Sequence, residues 1–134
     1  MNSMNKLRLI WVSLFFICAV VSCKKESDDS RIIGEWEIRS YAGGLLPSAQ
    51  FPAGNGQVLK FTATDYVQIK DGQILKSGTY KIIEEKFWEG NYRIIFDEDL
   101  QALPTYLKIS DNKLTIFTGA PVSLDGLETI YVRK

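Results

Sequence analysis

From Ile33 onward the apolar side chains return at every second position: Trp36 and Ile38; Leu59, Phe61 and Ala63; Val67 and Ile69; Tyr80 and Ile82; Tyr92, Ile94 and Phe96; Leu107 and Ile109; Leu114 and Ile116; Ile130 and Val132. A period of two belongs to strands that turn one face to a core and the other to water. The alternation predicts eight strands, at about 34–42, 57–63, 65–70, 73–84, 92–97, 105–110, 113–118 and 127–133. No stretch keeps a 3.6-residue period long enough for an amphipathic helix. Asp71-Gly72 between two such runs predicts a type I′ hairpin, and Asp111-Asn112 and Gly90-Asn91 read as further reversals.

Every connection is short enough to join antiparallel neighbours, so the simplest topology is a meander. At eight strands a meander can close on itself and remove its exposed edges. The expected fold is all-β, an eight-stranded antiparallel up-and-down barrel, with an open sandwich as the alternative that the same periodicity allows. The connections of a meander alternate between its two ends. Residues 43–56, 97–104 and 119–126 then elaborate one end, while the other carries minimal turns and the moderate link 85–91. The first strand starts at that plainer end.

The residues before the barrel have a different character. Met1 to Arg8 carries Lys6 and Arg8 without an acid, and Leu9 to Val21 is an apolar run too short to span a bilayer, which needs about 20 residues. That pattern is a secretory signal. Val20-Val21-Ser22-Cys23 resembles the bacterial lipobox, in which the final cysteine receives a diacylglycerol and becomes the first residue after cleavage. An ordinary cleaved signal and an uncleaved anchor are the alternatives, but bulky Val20 at minus three and a cysteine at the cleavage point fit lipid attachment better. The expected organisation is a lipoprotein signal peptide over 1–22, a lipidated N-terminus and flexible tether over 23–30, and the barrel over 31–134. Lys24 to Ser30 is too charged to bury useful surface. With Cys23 it resembles the lysine-and-acid stretch of Bacteroidota-type lipoproteins, which implies a lipid anchor in the outer membrane of a bacterial envelope, on its periplasmic or surface face. A solvated charge run is the plainer reading of the same residues.

Charge and composition narrow the chemistry. The chain has 16 basic and 16 acidic residues, and removal of 1–22 takes Lys6 and Arg8, leaving 14 against 16. Scattered lysines without a positive excess disfavour nucleic acid as a partner. Both cysteines fall within or at the end of the signal, so the domain has no thiol for a disulfide. Histidine is absent, which removes the commonest zinc ligand and the usual general base near neutrality. No cofactor is expected. Asp97-Glu98-Asp99 gathers carboxylates, but three adjacent side chains point in different directions, so a solvated loop is the expectation over a calcium site. Glu35 with Glu37, and Glu84 with Glu85, belong on the outer wall. No catalytic residue is assigned, and the chain is not expected to be an enzyme.

Gly34-Glu35-Trp36, after the apolar lead Ile32-Ile33, resembles the Gly-x-Trp signature that opens the first strand of lipocalins. The segment Ser77-Gly78-Thr79-Tyr80-Lys81-Ile82 and the closing Ile130-Tyr131-Val132-Arg133-Lys134 are similar to the small lipocalin-like domains of bacterial lipoproteins. The resemblance implies that Trp36 plugs the plain end with a basic side chain, Arg133 or Arg39, across its face. It also implies that a small hydrophobic ligand enters through the elaborated end. Phe61, Tyr80 and Phe96 would then line the interior, and Leu45, Leu46 and Phe51 would form an apolar lid. Against this stands a barrel whose aromatics simply fill it, since eight strands leave room for little more than side chains. Two functions follow as expectations: a membrane-anchored barrel that binds a small hydrophobic compound, or an accessory module that recognises an envelope protein through its loops. Phe87-Trp88 in the 85–91 link suggests either packing beneath the barrel or contact with lipid headgroups or a partner.

Overall fold

The computed structural model describes residues 29–87, 90–119 and 125–134, so the signal segment, Cys23 and Trp88 lie outside the described residues. A single helical turn, α1 (Asp29–Ile32), leads into strands β1 (Gly34–Gly43), β2 (Ala49–Gln50), β3 (Gln57–Phe61), β4 (Asp65–Lys70) and β5 (Gln73–Phe87). The chain continues through β6 (Gly90–Phe96), β7 (Thr105–Ser110), β8 (Lys113–Thr118) and β9 (Leu127–Arg133). Each strand pairs antiparallel with the next along the order β1-β3-β4-β5-β6-β7-β8-β9, and β9 returns to β1 from Trp36↔Arg133 to Gly43↔Leu127. The eight long strands thereby form a closed all-β barrel, which answers the choice between barrel and sandwich.

Most strand bounds agree with the alternation; three features differ. The fold has a ninth strand, because Ala49 and Gln50 of the first long loop pair with Tyr41 and Ser40 of β1, beside which β3 has already ended. β5 runs on to Phe87 and β6 begins at Gly90, so Gly90-Asn91 lies in a strand and is not a reversal. The extension is held by Phe87, whose ring stacks on Tyr106 at 4.6 Å and 23°, and by Glu85, which accepts the Tyr106 hydroxyl at 2.9 Å. β3 stops at Phe61 because Thr62 turns back, its N–H bonding the Asp65 carbonyl at 2.9 Å and its hydroxyl accepting the Asp65 N–H at 3.0 Å. The Asp71-Gly72 reversal has φ of 49° and 79°, both positive as a type I′ turn requires.

Alternate residues turn inward and fill the cylinder. Trp36, Phe61, Tyr66, Leu107 and Leu114 are fully buried, with Leu59, Tyr80, Ile94 and Ile116 completing the core. Phe61 meets Tyr80 edge-on at 5.0 Å between ring centroids, and Tyr66 meets Phe96 edge-on at 4.7 Å. Such pairs add about 0.5–1.5 kcal/mol each beyond the area they bury. Ile32, on α1, is wholly buried under the end where Trp36 lies.

Candidate functional site

The plug end is built around Gly34, Trp36 and Arg133. The Trp36 indole N–H donates to the Ile32 carbonyl at 2.7 Å, which ties α1 to the barrel floor. The Arg133 guanidinium carbon stands 4.2 Å from the centroid of the Trp36 ring, while Nη1 donates to the Ile33 carbonyl at 2.9 Å and Nη2 to the Arg31 carbonyl at 2.6 Å. Only a planar fork serves the ring and two carbonyls together. Gly34 has φ of 135°, and a Cβ there would stand 2.6 Å from Arg133 Nη1. The glycine is therefore required by both backbone and space. Arg39, the other basic candidate for the Trp36 face, instead pairs with Glu37 at 2.6 Å.

A second polar node crosses the wall at Asp97. Its carboxylate accepts the Tyr66 hydroxyl at 2.9 Å and the Thr79 N–H at 3.1 Å, and Lys76 lies 3.4 Å away. The Tyr66 hydrogen bond, followed by these other donors, holds the Asp97 carboxyl below its ordinary range. Gly78 belongs to this node, since a Cβ there would run into the Asp97 carboxylate. Glu98 turns the other way to Lys81 at 2.6 Å, and Asp99 accepts the N–H groups of Gln101 and Ala102 at 3.0 and 3.2 Å. The three acids thus serve three separate structural roles, and no cluster of metal-ligating residues occurs among the described residues.

Glu37 is on the outer wall yet only 4 % exposed, because residues 51–56 fold over it. Its carboxylate receives Arg39 at 2.6 Å and the Gly54 N–H at 3.1 Å, and these donors, Arg39 foremost, lower its pKa. Asn55 Nδ2 holds the same loop to the Ile38 carbonyl at 2.8 Å. Phe51 is consequently on the wall, its ring 5.8 Å from Tyr41. Leu45 is 96 % exposed and Leu46 61 %, so neither closes over a recess. The apolar lid expected of these three residues is replaced by a loop pinned to the barrel's side.

Phe61, Tyr80 and Phe96 do face inward and pack in edge-on pairs, Phe61 with Tyr80 and Phe96 with Tyr66; Tyr80 also borders a recess, an open groove of about 520 Å³ beside Ala63, Thr64 and Lys81. A recess of about 160 Å³ opens elsewhere, bordered by Ile38, Leu59, Gln68, Leu75 and Tyr131. Burial raises the Tyr131 phenol to about 12. Drug-sized ligands occupy sites of roughly 300–1,000 Å³, so this recess is small for a lipophile.

The exposed apolar residues show a clearer pattern. Among the described residues, nine large hydrophobic side chains are exposed. Six of them, Leu45, Leu46, Ile74, Leu75, Leu100 and Leu103, stand in or beside the connections β1–β3, β4–β5 and β6–β7. The meander directs all three connections to the end opposite the Trp36 plug. Ile74, Leu75, Leu100 and Leu103 escaped the sequence reading, although large apolar residues beside turns are the same signal that marked Leu45 and Leu46. No protein-family model, curated protein or solved structure matches this chain.

Proposed function

We propose that this chain is a lipid-anchored recognition module of a bacterial envelope, fixed to the membrane through Cys23 and presenting the loop end of its barrel to a protein partner. The observation that carries this reading is that six exposed apolar side chains stand in or beside connections at one end of the meander, with Trp36 and α1 at the other. Large apolar side chains concentrated at one exposed end of a fold favour a surface that meets another molecule. Burying several leucines against a partner supplies on the order of 1.5–3 kcal/mol for each fully covered side chain. A lipid with two or three acyl chains on Cys23 makes attachment effectively permanent, and the short charged segment 24–30 keeps the barrel close to the bilayer with the rim outward. The packed aromatic interior supports the lipocalin-like ligand-binding alternative less well.

The test is photo-cross-linking in intact cells with a photoreactive residue at Leu45 or Leu103, compared with one at Ile33 beside the plug. The proposal expects the same discrete protein adduct from both rim positions and none from Ile33. Adducts from Ile33 alone, or from no position, would refute it. Palmitate labelling that disappears in Cys23→Ser checks the anchor separately.

A further inference from the structure

The two halves of β5 have different neighbours. Residues 73–79 pair with β4, whereas the pairing from Tyr80 onward is with β6. The Tyr80 N–H bonds the Thr64 carbonyl at 2.9 Å, on the β4 side; the Thr79 carbonyl accepts Asp97 N–H at 2.8 Å, on the β6 side. Backbone groups alternate sides along a strand, so Ile82 and Glu84 direct both N–H and C=O toward the β4 side. β4 begins at Asp65, opposite Thr79, and no described strand pairs with this edge farther on. Ile83, between them, is 42 % exposed. An open strand edge is a template for another strand.

We propose that this edge pairs antiparallel with the same edge of a second copy of the chain, about a twofold axis through Ile83. The hydrogen-bonding phase allows few registers. Centring on Glu84 sets two carboxylates directly opposite, which is unfavourable. Centring on Ile82 requires the Tyr80 N–H, already given to Thr64. Centring on Ile83 sets Ile82 against the partner's Glu84 in a doubly hydrogen-bonded pair, and by symmetry repeats it. In that register Ile83 meets the partner's Ile83, and Lys81 faces the partner's Glu85, again twice. The present partners of these charges, Glu98 for Lys81 and Arg93 for Glu85, form ion pairs at 2.6 and 3.6 Å; the first pair is largely in water, and the second is long and partly covered. Exchanging the exposed Lys81–Glu98 pair costs little. The ladder ends at these pairs, because Thr64 holds the Tyr80 N–H and Asp65 stands opposite Thr79; the partner's Phe87 end then turns off the edge beside a recess of about 520 Å³ lined by Ala63, Thr64, Glu98 and residues 79–83.

The experiment uses the full-length chain in detergent with Cys18→Ser and Cys23→Ser, which leaves no other thiol. Opposed residues of a non-hydrogen-bonded antiparallel pair lie about 4.5 Å apart at Cα, within disulfide reach. Mild oxidation should cross-link Ile83→Cys at least about fivefold faster than Leu103→Cys, an exposed control at the other end. In sedimentation, Lys81→Glu and Glu85→Lys should each weaken self-association about tenfold, and an equimolar mixture of the two should restore it. Because Glu85 also accepts the Tyr106 hydroxyl, Ile83→Lys, at an exposed site, provides a variant that keeps the fold and should abolish pairing. Equal cross-linking at the two positions, or self-association unchanged by Ile83→Lys, overturns the proposal.

Discussion

Arg133 lies over Trp36 with its guanidinium carbon 4.2 Å from the ring centroid, and the same group holds the carbonyls of Arg31 and Ile33. The last strand therefore fastens both the first strand and the turn that precedes it. Removing the fork with Arg133→Ala should cost about 2–3 kcal/mol, combining the cation–π contact with the lost hydrogen bonds. Arg133→Lys keeps the charge but cannot reach ring and carbonyls together, and should recover less than half of that. Urea unfolding of the three proteins measures both values.

Gly34 should tolerate no side chain. Gly34→Ala introduces a Cβ at φ 135° and only 2.6 Å from Arg133 Nη1, so a loss above about 1 kcal/mol is expected. Much of that loss should already be present in Arg133→Ala, because the clash disappears with the guanidinium. A double-mutant cycle by thermal unfolding should therefore show coupling; strict additivity would mean that the strain is in the backbone alone.

Glu37 gives the fold a pH dependence of known sign. Arg39 and the Gly54 N–H hold its folded pKa below the unfolded one, so its stabilisation is fully present above about pH 4.3 and is lost as pH falls through the lower folded value. Glu37→Gln should be less stable than the parent at pH 7, and the gap should narrow progressively below pH 4. Chemical denaturation at pH 7, 4 and 3 makes the comparison; a gap that widens on acidification would contradict this assignment.

The aromatic interior makes its own prediction. Phe61 is 1 % exposed and edge-on to Tyr80, so Phe61→Ala should cost about 3–5 kcal/mol, the range for an aromatic removed from a packed core. An apolar fluorescent probe should bind parent and variant alike while both are folded. Strong probe binding by the parent, diminished in the variant with little loss of stability, would indicate an open binding cavity at this position.

The strand pattern was largely legible because one wet face and one dry face impose a period of two, and because Asp71-Gly72 fixes a reversal through its own backbone preferences. The resemblance at Gly34-Glu35-Trp36 points to a basic side chain on the Trp36 face but leaves Arg133 and Arg39 open; the choice depends on barrel closure, which sets Arg133 beside Trp36. Other features depend on contacts between distant segments, which periodicity does not record. Glu37 reads as an ordinary outward acid until residues 51–56 cover it. Phe87 extends β5 only because Tyr106, two strands away, offers its ring. Asp97 acquires its donors from Tyr66 and Thr79, on neighbouring strands, and Gly78 leaves the space for it.

Native mass spectrometry of the protein purified in detergent from cells that produce it tests most directly the proposal that the barrel is filled by its own side chains and acts through its rim. The expected mass, for each chain of the native species, is that of the polypeptide from Cys23 with its covalent lipid, and no small molecule is released when the protein is unfolded. A lipophilic compound that stays bound in the folded protein and departs on unfolding would contradict it.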